Sequence, residues 1–147
     1  MDPRVAKLKT PQECETFARN AREHGAPLLA DEARQRVVQL RAESHGAKTS
    51  VERECLEAVY AYEEVLSAKK GRKVRAGRTW PMIHERGVLP AVEHIVLKRQ
   101  ESVGFTALAE MGLKDFAFEA VILRHPEHFS AEAVARSRER LTEDVRG

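Results

Sequence analysis

The residues with the clearest chemical potential are the positive side chains of Lys69–Arg78, which we call the basic segment. It holds six cations in ten residues, and no Asp or Glu occurs between Val65 and His84. The whole chain carries a formal charge of only +2, so the remaining residues sum to −4 once these six charges are removed. Charge concentrated in this way is typical of a surface that meets a polyanion.

The chemistry that these residue types favour is phosphate contact. Lys and Arg displace the counterions condensed around nucleic acid, and Arg can hold a phosphate through paired donors. Gly71 and Gly77 allow the backbone to approach a ligand closely, and Trp80 could stack on a base or buttress the segment. We therefore predict a nucleic-acid-binding site, for DNA or RNA, formed by Lys69, Lys70, Arg72, Lys73, Arg75, Arg78 and Trp80.

Within this set, the lysines at positions 69 and 70 already have a structural explanation, because positive charge is favoured in the last turn of a helix. The main phosphate contacts are therefore expected from Arg72, Lys73, Arg75 and Arg78. The small net charge of the chain argues against a protein that coats DNA in bulk.

Two other interpretations of the basic segment remain open. It could be a solvated loop between helices, with or without salt bridges to the acidic residues of Glu52–Glu64, or it could bind an acidic protein. A continuous positive face shared with Arg86, Lys98 and Arg99 would favour polyanion binding. Folding of the segment onto Glu52–Glu64 would disfavour it.

The stretch Thr79–Lys98 can be interpreted as a helix-turn-helix unit with Gly87 at the turn. Its second helix would present Glu93 and His94 to the groove. An acidic side chain near the start of a reading helix is poorly suited to approach phosphates. A plain pair of packed helices is therefore the favoured interpretation.

Signatures of catalysis and of metal binding are absent from the sequence. Gly-x-Ser-x-Gly does not occur, and the basic segment lacks the Gly-Lys-Ser/Thr of a phosphate loop. His125 and His128 have no companion ligands at zinc spacing. We therefore predict a non-enzymatic protein with no catalytic residue, metal or cofactor. The alternative is a subunit that completes the active site of another chain. The helix carboxylates are predicted to be surface charges, namely Glu52, Glu57, Glu63 and Glu64.

The elements that must position the basic segment are predicted to be helices. Ala and Arg are abundant, aromatic residues make up 5% of the chain, and no stretch alternates apolar and polar residues with period two. The sequence predicts one all-α domain over 1–147, a compact bundle of about seven helices. An N-terminal helical half, 10–70, precedes a basic connector, 71–79, and a C-terminal helical half, 80–143.

Two capping boxes, at Thr10–Glu13 and Thr49–Glu52, mark the first and third helices. Proline and glycine positions complete the boundaries. The predicted helices are 11–23, 27–45, 50–70 as the long central helix, 80–85, 90–98, 105–111, 114–124 and 131–143. The last of these has little apolar surface and is expected on the outside, whereas the apolar residues between Phe105 and Leu123 are expected in the core.

The remaining features indicate the cellular setting. The sequence contains no signal-peptide pattern and no apolar run of membrane-spanning length, so we expect a cytoplasmic protein without membrane contact. Cys14 and Cys55 are expected to be buried and reduced. The Arg- and Ala-rich composition is typical of a GC-rich bacterial genome. Together these features favour a nucleic-acid-associated accessory protein; the alternative is a helical protein-interaction module or regulatory subunit, with a protein partner or homo-oligomer.

Overall fold

The computed structural model describes residues 1–98 and 105–146, with side chains as far as Thr142. Within these ranges every regular element is helical, which confirms the all-α prediction. The described residues form nine α-helices: α1 Pro3–Ala6, α2 Pro11–Glu23, α3 Pro27–His45, α4 Ser50–Lys70, α5 Thr79–Arg86, α6 Val88–Lys98, α7 Phe105–Glu110, α8 Phe118–Arg124 and α9 Ala131–Arg146. Two 3₁₀ turns, Lys114–Phe116 and Pro126–His128, flank α8.

The starts of α2 and α4 follow from the threonine caps, as predicted. The backbone N–H of Glu13 donates to Thr10 Oγ1 at 3.1 Å, and that of Glu52 donates to Thr49 Oγ1 at 3.1 Å. In a capping box the glutamate usually accepts from the cap residue itself. Here each glutamate reaches one residue further back; Glu13 Oε2, for example, accepts from the backbone N–H of Lys9 at 2.9 Å.

The long helix α4 is the central element, because it packs against α3, α6, α7 and α8. Its side chains fill the core from several sides, and Cys55, Leu56 and Val59 have no exposed surface. Cys14 on α2 is equally buried, so the expectation for both cysteines is confirmed. Both helical halves of the chain are therefore joined through α4.

The C-terminal half departs from the prediction between Lys114 and Arg124. A single helix was expected, but Ala117 is extended, with ψ at 146°, and separates a 3₁₀ turn from α8. The break allows Leu113 and Ala117 to pack in one apolar cluster while Phe118 packs in the neighbouring, larger cluster. The helix boundary is thus decided by two cores that lie on different sides of the chain.

Helix α9 has an exposed charged face, and its other face packs on α6 and α8. Arg140, which is 5% exposed, donates from Nη1 to Glu119 Oε1 at 3.3 Å. The expectation of an external helix therefore describes only one face of α9. None of the helices in residues 1–98 and 105–146 is long and apolar enough to cross a membrane.

Candidate nucleic-acid interface

After Lys70 the basic segment leaves α4 and folds back along it. Gly71 adopts the left-handed conformation, with φ at 69°, and thereby ends the helix. Three residues later the backbone N–H of Val74 donates to Ser67 Oγ at 2.9 Å. Ser67, on the last two turns of α4, therefore attaches the middle of the segment to the helix that precedes it.

The strongest attachment is made by the carboxylate of Glu63. Its Oε2 accepts from Arg75 Nε at 3.0 Å, from the backbone N–H of Ala76 at 2.7 Å and from Trp80 Nε1 at 2.6 Å. The Glu63 side chain is only 3% exposed. A buried carboxylate is stable only when donors surround it, and these three donors meet that requirement.

The prediction that Glu57 and Glu63 are surface charges is wrong, since both residues are buried, at 8% and 2% exposure. Each lies on a part of α4 that other elements cover. Glu57 has no hydrogen-bond partner among the residues that the structure describes, and burial raises its pKa. The buried carboxylate of Glu63 is therefore surrounded by hydrogen-bond donors, whereas that of Glu57 has none among the described residues.

Three aromatic side chains from different helices meet beside this network, and we call His45, Tyr60 and Trp80 the aromatic cluster. The imidazole of His45 stacks on the indole of Trp80, with centroids 5.3 Å apart and planes at 20°. Tyr60 tilts against the same indole at 5.0 Å. The guanidinium carbon of Arg75 lies 5.1 Å from the indole centroid. These contacts favour the buttressing role for Trp80 over direct stacking on a base.

The six cations of the basic segment divide into two groups. Arg75 alone folds onto the acidic helix α4, where its Nε donates to Glu63. The Arg75 side chain is still 64% exposed, and its terminal nitrogens form no hydrogen bond with a described residue. The other five are exposed and form no ion pair within the described part of the chain: Lys69, Lys70, Arg72, Lys73 and Arg78. An intramolecular salt bridge therefore accounts for one cation of the six, and the other five fit a solvated loop as well as a ligand-binding surface.

The structure brings Lys73 and Arg75 together at a cleft of about 210 Å³. Arg41, Ser44, Tyr60 and Glu63 form the rest of its lining. The other predicted contacts do not line this cleft. Arg78, for example, lies at a second cavity of about 280 Å³ that includes Tyr62, Leu66 and Thr79.

Arg41 contributes little free charge to the cleft. Its Nη2 lies 3.1 Å from Glu15 Oε1, and its Nη1 lies 3.3 Å from Glu64 Oε1. Burial raises the pKa of Glu64, while the positive charges of Arg41 and Lys73 oppose that shift. The uncommitted cationic donors of the cleft are therefore the ammonium of Lys73 and the terminal nitrogens of Arg75.

One side of the candidate reading helix, α6, is held by α9 and by Ser130, the residue just before it. Glu93 Oε1 accepts from the backbone N–H of Ser130 at 2.6 Å, and the carbonyl of Leu97 accepts from Arg136 Nη1 at 2.6 Å. These contacts favour a packed helix pair over a helix that enters a groove. Arg99, the last member of the continuous positive face considered above, lies outside the described residues.

His125, which follows α8, belongs to a structural contact with α4, whereas His128 lies beside Glu127. His125 Nε2 lies 2.5 Å from Glu54 Oε2, and Arg124 Nε donates to Glu54 Oε1 at 2.7 Å. Burial would raise the pKa of Glu54, but these two hydrogen bonds outweigh burial and lower it. Across the described ranges, no three His, Cys, Asp or Glu side chains come close enough together to hold a metal ion.

The fold and the site define an all-α bundle that carries a basic loop anchored to its central helix. Comparisons of the chain with protein-family models, with curated proteins and with solved structures find no match.

The residues that anchor this segment were not predicted from the sequence. Glu63 carried a usable signal, because it lies on the same side of α4 as Leu56, Val59 and Leu66, at helical spacing. A carboxylate in an apolar stripe requires a donor, and the nearest rich source of donors is the basic segment. His45 offered no such signal, since it is exposed and lies 35 residues before Trp80.

Proposed function

We propose that this chain is a non-enzymatic, nucleic-acid-binding accessory protein of a bacterial cytoplasm, with the basic segment as its phosphate-contacting surface. One observation carries the proposal. Five exposed cations without an ion pair in the described part of the chain lie on a segment whose backbone is fixed to α4 by Glu63 and Ser67.

The fixed backbone favours binding, because cations on a flexible loop bind a ligand more weakly than cations on an ordered segment. A segment that is already ordered loses less conformational entropy when a ligand arrives than a free loop does. The anchor consumes the Nε of Arg75 but leaves Arg72, Lys73 and Arg78 exposed. These three side chains are therefore the best candidates for contacts to phosphates.

The experiment is a salt titration of binding to labelled duplex and single-stranded DNA. If three phosphates are contacted, log K falls with log salt with a slope of about −3 for duplex and about −2 for a single strand. Charge reversal of Arg72, Lys73 and Arg78 to Glu is expected to abolish binding. Arg75 is left intact, because its substitution would also disturb the anchor.

A matched control reverses three exposed cations elsewhere, Lys7, Arg19 and Lys114, which changes the net charge equally. The control variant is expected to retain most of the affinity and the salt slope. The proposal fails if the wild-type protein does not bind at low salt. It also fails if both reversed variants lose binding to the same extent, since a delocalised field would then explain the result.

The second candidate is a helical protein-interaction module, and it is favoured by the exposure of Leu28, which is 79%. An apolar side chain in this position at the start of α3 contributes nothing to the core. Sedimentation of the wild-type protein and of Leu28→Glu tests this candidate. A wild-type dimer that Leu28→Glu dissociates supports self-association through this surface. Monomers for both proteins argue against it.

A further inference from the structure

The aromatic cluster and the cleft of the basic segment form one continuous patch. Tyr60 belongs to both, because it tilts against Trp80 and also lines the cleft with Lys73 and Arg75. His45 is the exposed member of the cluster, and its imidazole is stacked on the indole of Trp80. Stacked rings and uncommitted cations therefore lie side by side on the surface.

The size of the cleft limits what can enter it. A volume of about 210 Å³ corresponds to about seven water molecules at their liquid volume. This space accepts a phosphate group, but it is smaller than the pockets of roughly 300–1,000 Å³ that enclose whole small molecules. A nucleotide bound here would place its phosphate in the cleft and its base outside.

The surface outside the cleft is suited to an unpaired base. An imidazole that is supported from behind by an indole offers a flat, exposed ring on which a base can stack. In duplex DNA the faces of the bases are stacked on one another and cannot use such a ring. Only a single strand can therefore use the cations and the ring of this patch together.

We propose that the patch formed by His45, Tyr60, Trp80, Lys73 and Arg75 binds single-stranded nucleic acid, with a phosphate in the cleft and the adjacent base stacked on His45. This inference rests on the proposed function and adds to it a preference for single strands over duplexes. The ordered cations supply the phosphate contact, and the imidazole supplies the part of the binding that depends on bases.

The test compares single strands that have the same number of phosphates but differ in their bases, together with a duplex in which the bases are paired. Binding of labelled oligothymidylate, oligouridylate, an abasic strand of equal length and a duplex is measured by anisotropy. The base-bearing strands are expected to bind about tenfold more tightly than the abasic strand, since stacking on aromatic side chains has this order of effect. This advantage over the abasic strand, found with either sugar type, supports the proposal.

The variant His45→Ala is expected to lose this tenfold advantage and to leave abasic binding and the salt slope unchanged. His24→Ala is the matched control, because His24 is also exposed and also precedes the glycine that follows its helix. It is expected to bind every ligand as the wild-type protein does. Circular dichroism checks that both variants are folded.

The outcomes separate this inference from the proposed function. Equal binding of base-bearing and abasic strands, with His45→Ala indistinguishable from wild type, overturns the stacking patch and leaves polyanion binding intact. An equal loss of base-bearing and abasic binding in His45→Ala also overturns it, because stacking would then not be the source of the affinity. No binding of any ligand at low salt overturns both.

Trp80 provides a second readout because it is the only tryptophan in the chain. A base stacked on His45 lies next to the ring that covers the indole. Saturating oligothymidylate is therefore expected to change the emission of Trp80, whereas the abasic strand leaves it nearly unchanged. Identical emission changes with both strands contradict a base at this position.

Discussion

The carboxylate of Glu63 is expected to be the most important single anchor of the basic segment, and Glu63→Gln tests this directly. Glutamine keeps the size of the side chain and can still present one oxygen to the three donors. It removes the negative charge that strengthens the bonds from Arg75, Ala76 and Trp80. The change therefore isolates the contribution of charge to the network.

The expected cost follows from the three contacts. Hydrogen bonds to a charged group contribute about 1 kcal/mol more than neutral ones, which gives about 3 kcal/mol for three bonds. The bond to Arg75 counts for less, because that side chain is 64% exposed and can turn to water. Glutamine also needs less desolvation than a carboxylate. We therefore expect a loss of about 2 kcal/mol in the free energy of unfolding.

Urea unfolding measures this loss, with circular dichroism for the helices and Trp80 emission for the site. With a slope of about 2 kcal/mol per molar, the midpoint is expected to fall by about 1 M. Glu57→Gln on the same helix is the matched control, because Glu57 is buried without a hydrogen-bond partner among the described residues. It is expected to be neutral or slightly stabilising. Equal midpoints for the two variants would refute the anchoring role.

Three further predictions concern other parts of the fold. The hydrogen bonds that lower the pKa of Glu54 stabilise the folded state at neutral pH. This stabilisation is lost as the pH falls from the ordinary carboxyl pKa of 4.5 through the lower folded-state pKa, so the difference in urea midpoint between wild type and Glu54→Gln is expected to shrink over that fall. Burial raises the pKa of Cys55 to about 12, so little of this thiol is ionised at pH 8. An aromatic disulfide reagent at pH 8 is therefore expected to modify Cys55 about a hundredfold more slowly in the native protein than in the protein unfolded in urea. Gly112 and Gly25 both have φ at 73°, but an added Cβ at Gly112 would lie 2.5 Å from Asp31 Cβ, whereas at Gly25 it would meet nothing. Gly25→Ala is expected to cost about 1 kcal/mol and Gly112→Ala about 1–3 kcal/mol more, as measured by urea unfolding.

The helices α2, α3 and α4 could be predicted to within a residue because their ends are determined locally. A threonine cap, a proline in the first turn or a left-handed glycine acts within a few residues of the boundary that it sets. The break at Ala117 could not be predicted in this way, since it depends on two apolar clusters built from distant parts of the chain.

The candidate site also combines features that are visible locally in the sequence with features that depend on tertiary contacts. Its cations were predicted because their concentration is visible in the sequence, and its anchors were not, because they are tertiary contacts. Glu63 meets Ala76 and Trp80 across 13 and 17 residues, and the stack of His45 on Trp80 joins α3 to α5. Such contacts exist only once α4 has placed its neighbours around it.

Polyanion binding and an intramolecular contact with the acidic helix, two of the interpretations that the sequence left open, are compatible in the folded protein. Arg75 folds onto the acidic helix, as the intramolecular interpretation requires, and this contact holds the exposed cations Arg72 and Lys73 in place. Glu63→Gln changes both the charge beside the cleft and the order of the basic segment, and these two changes are expected to have opposite effects on DNA binding. Loss of a negative charge beside the cleft would strengthen binding, whereas a weaker anchor would leave the segment less ordered and weaken binding.

We expect the loss of order to dominate, because ordering a free chain costs about 1–2 kcal/mol per residue and several residues of the segment depend on the anchor. Glu63→Gln should therefore bind DNA more weakly than the wild-type protein, although it is the more positive of the two. Its salt slope should stay unchanged, since Arg72, Lys73 and Arg78 are all retained. Tighter binding by Glu63→Gln would show that the carboxylate acts mainly as a competing charge and that the segment needs no anchor to bind.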